Sequence, residues 1–342
     1  MEKPQKRPAW MREVVTAGND LHAMKKDPLW HNIINGISTF VLVLVSILTM
    51  MLSAALPPLL YIPIAGVIFG VVYFSVNVLV IHECSHNMFV LSADRERSKR
   101  LNRAVGVFAG WLFFTDYIRH WEKGHTVHHL RPCEADDPQD RYPITGWELY
   151  RRLLILALIP LSFVAYNPSK QYPGQLKRAA IGLAVWAPIV ALTWMTFGWV
   201  VPAALVVGFQ VVSILNYLKK AQEHGGGLAH EPDRLLRSRT YFYPVAVIFS
   251  PFNINYHFEH HANFSVPWYS LPAYHKKARE IVPEALRPYY FHNQYLMQLA
   301  GQKPLPPANL RPLMGEGPEV GAPKREEDYE AEDALGGVPV TA

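Results

Sequence analysis

The chain has 342 residues, 50% of them hydrophobic and 18% charged, against about 25% charged in an ordinary soluble domain, which excludes a disordered or fibrous protein. Two cysteines, Cys84 and Cys133, exclude a disulfide framework, a thiolate zinc cluster and a four-thiolate iron–sulfur centre. The formal charge of +5 lies beside apolar runs rather than in a basic patch carrying a nucleic-acid motif, so no nucleic-acid partner is expected.

In chain order, residues 1–32 form an arm with six Lys or Arg (Lys3, Lys6, Arg7, Arg12, Lys25, Lys26) mixed with acids. The first apolar run starts too far along for a signal peptide, and the arm reads as cytosolic. Residues 37–56 and 59–81 are uncharged, each long enough to cross a hydrocarbon core of about 30 Å as helix, with Pro57 and Pro58 turning between them. Residues 179–217 are also uncharged and too long for one crossing; Gly198 and Pro202 offer a break into two helices. These elements predict an all-α membrane protein with four transmembrane helices in two hairpins. Two shorter apolar runs, 104–114 and 153–166, have the length of extra spans, re-entrant pieces or helices on the membrane face. Parity favours non-crossing, interfacial helices, because a crossing at 104–114 puts the histidines near 125 and those near 82 on opposite sides. The two hairpin tips contain no Lys or Arg, whereas residues 82–179 contain 14. The positive-inside rule therefore places that stretch, a histidine-rich cap and both termini in the cytoplasm. Residues 33–301 read as the membrane domain. Residues 302–342, rich in Pro, Gly and acids, read as a disordered tail.

Eight of the fifteen histidines fall in three groups: His82 and His86; His125, His128 and His129; His257, His260 and His261. Positions i, i+3 and i+4 share one helix face, so each group aims its imidazoles at a common point. All three groups lie in segments expected on the cytoplasmic side, where they can meet. His224 follows the fourth span at the bilayer depth of the first group and is a ninth candidate ligand. His120 lies off the face of the second group and is a candidate outside the ligand set. His22, His31, His230, His275 and His292 read as structural or solvated. Imidazole suits iron, zinc, copper or nickel, and this many nitrogens exceeds what one tetrahedral zinc takes, which points to two metal ions. Iron is the economical choice where dioxygen must attack an unactivated C–H bond. Glu83, Glu122, Asp136, Asp137, Glu223 and Glu259 stand where carboxylates could accept the free ring N–H groups and orient the ligands; Asp136 and Asp137 also read as a solvated turn before Pro138.

The groups His82-Glu83-Cys84-Ser85-His86, His125-Thr126-Val127-His128-His129 and His257-Phe258-Glu259-His260-His261 resemble the histidine boxes of the integral-membrane fatty acid desaturase and hydroxylase superfamily. Asn255-Tyr256 before the third box and Val266-Pro267-Trp268-Tyr269-Ser270-Leu271-Pro272 after it extend the likeness, which covers about residues 30–290. The resemblance implies four membrane helices with a cytosolic cap, a non-haem di-iron centre (two Fe2+) held by these histidines, and dioxygen plus two electrons consumed per turnover. It implies a membrane-bound desaturase acting on an acyl chain of a lipid or lipid-like substrate, with hydroxylation of an alkyl, acyl or carotenoid-like substrate as the alternative. One departure is Lys220, which stands where some acyl-CoA desaturases carry an Asn that contributes through water. No segment resembling cytochrome b5 is fused to the chain, so an external electron donor, a ferredoxin or a cytochrome b5-like protein, is expected; Arg95, Arg97, Lys99, Arg100 and Arg103 could steer an acidic carrier. A metal transporter is less consistent with spans that contain no ionisable residue, Asn77 being the lone strongly polar amide well inside the second. A zinc hydrolase built on His82-Glu83-Cys84-Ser85-His86 leaves both other boxes unexplained.

Overall fold

The computed structural model describes residues 7–134, 137–139, 146–166, 172–225, 227–228, 231–242, 246–292 and 306–315. The chain divides into two compact units, one of residues 27–126 and 147–219, the other of residues 1–26, 127–146 and 220–342.

Among the described residues, four helices are long and apolar enough to cross a membrane, making this a multi-pass membrane protein. The first, α2 (Pro28–Met51), starts earlier than hydropathy alone suggests because Asp27 accepts a hydrogen bond from Trp30 N and Pro28 opens the first turn. Ahead of it, α1 (Ala9–Ala17) belongs to the other unit. The next, α3 (Pro58–Val76), continues through a π-helical stretch at Asn77–His82 and one further turn to Ser85. Among the elements between the second and third spans are α4 (Arg95–Leu112), α5 (Gly124–Leu130) and α6 (Gly146–Leu158). None of these three meets the length and hydropathy of a span. The last two spans are α7 (Gln175–Phe197) and α8 (Val200–Glu223). Their break falls at Gly198, whose φ of 76° favours glycine. Pro202 sits inside the first turn of α8, where its missing N–H costs nothing.

In the membrane unit α3 packs closely on α8. A Cβ at Gly66 would lie 2.3 Å from Val207 Cγ1, and one at Gly70 2.4 Å from Val211, so glycine is what lets the backbones approach. Buried Tyr61, Ala65, Phe69, Val201, Ala204 and Leu205 pack at the end of these helices near the α7–α8 connection. At the start of α2, Asn32 exchanges hydrogen bonds with the Leu91 backbone (2.8 and 2.9 Å), Asn35 donates to Phe89 O (2.9 Å), and buried His31 meets Met88 O. These contacts fasten the loop after His86.

The other unit has a core of Trp10, Met11, Val14, Phe258, Tyr274 and Tyr290 with their neighbours. Its elements include α9 (His257–Ala262), α10 (Leu271–Ile281) and two short parallel strands, β1 (Thr240–Tyr241) and β2 (Phe291–His292), with Thr240 opposite Phe291. Helix α1 rests on α10, and Tyr274 OH donates to Val14 O at 2.7 Å. The arm is part of a core, and residues 306–315 fold onto it: Trp10 Nε1 donates to Leu313 O (2.7 Å), Met314 is buried, and Arg311 pairs with buried Glu231 at 2.7 Å. Single apolar anchors among prolines and polar residues carry no periodic signal, which is why composition reads this piece as tail. The rest of 302–342 lies outside the described residues.

Candidate metal centre

The membrane unit presents three of the expected ligands together. His82 ends the π-helical stretch, His86 comes one turn later, and His125 stands on α5 after a second π-helical stretch at Tyr117–Lys123. A π turn inserts a residue and rotates the next part of the helix, a device common at functional sites. His86 Nε2 lies 3.3 Å from His82 Nε2 and 3.1 Å from His125 Nε2. The rings of His82 and His125 are 4.6 Å apart, with Trp121 beside both.

In the other unit, His128, His224, His257 and His261 each offer a ligand nitrogen, all within 4.8 Å of one another. His257 Nε2 is 2.9 Å from His224 Nε2 and 3.1 Å from His261 Nε2. His129 and His260 face each other in the same unit, ring centroids 4.6 Å apart. His125 and His129 are separated by one turn of α5, as are His257 and His261 on α9, so the i, i+4 pairs share a face as expected; the common point expected for each whole group is not found, because His128 gathers with His224, His257 and His261 while His260 turns to His129.

The donor chemistry fits metal. Metal–imidazole bonds of about 2.1 Å place neighbouring nitrogens about 3.0 Å apart in an octahedral set and about 3.4 Å in a tetrahedral one. Four of the Nε2 separations lie between 2.9 and 3.3 Å, and all ligand atoms of the His128, His224, His257 and His261 group lie within 4.8 Å of one another. The outward ring atoms are oriented to match. His128 Nδ1 donates to Asp137 Oδ2 at 2.8 Å, and His224 Nδ1 donates to Arg237 O at 2.9 Å, leaving both Nε2 lone pairs facing inward. Glu223 Oε1 is 3.2 Å from His257 Nδ1 and accepts from Tyr241 OH. Asp137 is fully buried and also accepts from Cys133 N (2.9 Å) and Gln139 N (2.8 Å). Burial alone would raise its carboxyl, but the His128 partner and the two backbone donors outweigh it and hold it well below the usual range.

Other expected partners sit differently. Glu83 is buried, with Oε1 4.0 Å from His82 Nδ1, beyond hydrogen-bond reach. Glu122 is drawn away to the surface by Arg103, which binds both its oxygens at 2.6–3.0 Å. A guanidinium one helix away outcompetes a neutral ring N–H. His120 is buried beside Tyr172, its Nδ1 3.5 Å from the phenol oxygen. Glu259 does accept a ring N–H, but from His275 Nδ1 at 2.6 Å, and its second oxygen accepts from the Thr240 hydroxyl. His275, read from sequence as structural or solvated, is thus tied to the third box; its helix lies too far along the chain for spacing to reveal the pair. Lys220 donates to Gln139 O. Asp136 and His230 lie outside the described residues. The Arg237 carbonyl that orients His224 has no side-chain signal at all.

The family model described as fatty acid desaturase matches residues 57–293, a stretch that contains all nine of these histidines. The chain belongs to the fatty acid desaturase family. It is 31% identical over 210 residues to the sphingolipid delta(4)-desaturase DES1 of Xenopus tropicalis, covering 59% of this chain and 61% of that protein. It is 29% identical over 233 residues to the sphingolipid delta(4)-desaturase/C4-monooxygenase DES2 of Homo sapiens, covering 63% and 62%. The chain spans about three fifths of the length of the curated relatives it matches. Lys220 and the Asp137 clasp on His128 are features that spacing of the boxes does not convey.

Proposed function

We propose that the protein is an oxygen-dependent di-iron desaturase that introduces a double bond into an acyl chain of a lipid or lipid-like substrate. The observation that carries this is the packing of imidazole nitrogens 2.9–3.3 Å apart, in a multi-pass membrane protein of the fatty acid desaturase family. The ligands we assign are His82, His86, His125, His128, His129, His224, His257, His260 and His261. His128, His224, His257 and His261 serve one ion. His82, His86 and His125 serve the other, with His129 supported as a further donor by its place one turn from His125 on α5. His260 is supported by its place opposite His129.

When bound, the iron pair supplies the redox chemistry that an unactivated C–H bond requires, and the overall reaction consumes dioxygen, two electrons and two protons, yielding an alkene and two waters. The residues of this chain orient that chemistry. Asp137 and the Arg237 carbonyl keep the protons of His128 and His224 on Nδ1, so that the opposite nitrogens remain donors, and Glu223 is placed to do the same for His257. Burial of these groups keeps bulk water from the site. A methylene chain offers few polar handles, so the position attacked depends on the depth and bend of an apolar path, where one methylene is worth about 1–3 kcal/mol.

Hydroxylation is the second reading, favoured by the double name of the human relative, a desaturase/C4-monooxygenase. The two outcomes share removal of one hydrogen and differ in whether a second is lost or a hydroxyl is added. By the positive-inside asymmetry, the site and both termini face the cytoplasm, where an external ferredoxin or cytochrome b5-like protein delivers the electrons. The deciding experiment is mass spectrometry of lipids from cells with and without the chain, grown under air and under nitrogen. Desaturation predicts an oxygen-dependent product lighter by two hydrogens. A product gaining one oxygen supports the second reading, and no difference under air overturns both.

A further inference from the structure

We infer that α4 and α6 are half-inserted re-entrant segments whose C-terminal halves lie in the hydrocarbon of the bilayer, so that residues 104–114 and 153–164 form a lipid-facing surface in addition to the four spans. The depth of each is set by a polar side chain deep inside a span. Gln210 stands on α8 about 20 Å from its Glu223 end and about 15 Å from its Val200 end, at 1.5 Å per residue. Its amide nitrogen, with two N–H groups to share, lies against Ile159 O (2.8 Å), Ser162 Oγ (2.7 Å) and Leu156 O, so the C-terminal turn of α6 and the bend after it sit at mid-span. Trp186 stands about 16 Å into α7, and its Nε1 donates to Leu112 O, the last residue of α4, at 2.8 Å. The same end of α4 meets α7 at Gly182, where a Cβ would lie 2.4 Å from Phe114.

Both segments carry their charges on the entry side only. In α4 the cations Arg95, Arg97, Lys99, Arg100 and Arg103 precede an uncharged stretch from 104 to 115; in α6 Glu148, Arg151 and Arg152 precede one from 153 to 166. The uncharged halves expose Phe108, Leu154, Leu158, Ile159, Leu161 and Val164, each by more than half. In water such a surface is a liability, whereas beside hydrocarbon it is continuous with the lipid face of the spans. The end of a helix inside a bilayer strands carbonyls that no water can satisfy, and Gln210 and Trp186 supply the missing donors. Rings from both bends, Phe113, Phe114 and Phe163, gather on Phe209, next to Gln210, at centroid distances of 5.5–6.2 Å. Arg178 near the start of α7 pairs with Asp116 at 3.3 Å, which returns the chain after α4 to the side it entered from.

The test uses the full chain in phospholipid nanodiscs, with nitroxide labels placed singly by Phe108→Cys or Leu158→Cys in a Cys84→Ser, Cys133→Ser background. Leu192→Cys on the exposed face of α7 and Met24→Cys outside the spans serve as references. Power saturation is read against oxygen and against a water-soluble nickel chelate. Labels at 108 and 158 are expected to match the one at 192, colliding more with oxygen than with nickel. Nickel accessibility like that at 24 overturns the inference. The unmodified chain gives a second reading that needs no cysteine replacement: a phospholipid with a diazirine at the end of its acyl tail is photolysed in the same nanodiscs. Adducts within 104–112 and 154–164 are expected, and adducts confined to the four spans contradict the assignment. Neither measurement depends on metal or turnover.

Discussion

Asp137→Asn removes one charge from the buried support of the proposed metal site while keeping its shape. In the protein, one carboxylate oxygen receives His128 Nδ1–H at 2.8 Å and Cys133 N–H at 2.9 Å, and the other receives Gln139 N–H at 2.8 Å. An amide in that position satisfies one set and turns its own N–H toward the other, so at least one bond is lost and the charge assistance with it. Loss of such a partner behind a ligating imidazole typically weakens metal binding roughly 10- to 100-fold, about 1.4–2.7 kcal/mol. Asp137→Ala goes further and strands two backbone donors, for an added destabilisation of about 1–3 kcal/mol each. The assay is competition of Fe2+ or Co2+ against a calibrated chelator in nanodiscs, with thermal unfolding run alongside. The expected result for Asp137→Asn is weaker binding of one ion of the two, the other unchanged, with little loss of folding. Binding of both ions within about two-fold of the unmodified chain refutes the orienting role.

His128→Ala and His261→Ala are each expected to abolish product and to lower bound iron, whereas His22→Ala stays within a few-fold; product analysis and elemental analysis of the purified variants check both. His275→Leu leaves one oxygen of the buried Glu259 carboxyl without its ring N–H and is expected to destabilise the protein by about 1–3 kcal/mol, while His275→Asn, which keeps a donor near Nδ1, recovers part of the loss in a thermal melt. Gly70→Val drives a side chain into Val211 and is expected to cost about 1–3 kcal/mol or more, read as a lowered melting temperature. Met314→Ala opens a cavity under α1 and is expected to cost about 2–5 kcal/mol, with limited proteolysis freeing the 306–315 segment.

The spans were legible because hydropathy needs only composition over a window, and α2, α3, α7 and α8 satisfy it. The i, i+4 pairs His125/His129 and His257/His261 were legible from helical spacing on α5 and α9, but the single meeting point expected of each box was not realised: His128 gathers with His224, His257 and His261, and His260 turns to His129. What sequence withheld depends on partners distant in the chain. Glu122 looks like a support for a ligand until Arg103 is seen to claim it, and His275 looks idle until α10 brings it to Glu259. The arm and residues 306–315 hide their packing in isolated anchors, Trp10 and Met314. The π-helical stretches before His82 and His125 leave no mark in residue type.

The central claim is that distant histidines hold a pair of redox-active ions, and metal content measures it directly. The chain purified anaerobically after growth with iron should contain two iron atoms per molecule, with at most one remaining in His261→Ala. Recovery of a single ion per chain, or of zinc alone in protein that turns over without dioxygen, would contradict it.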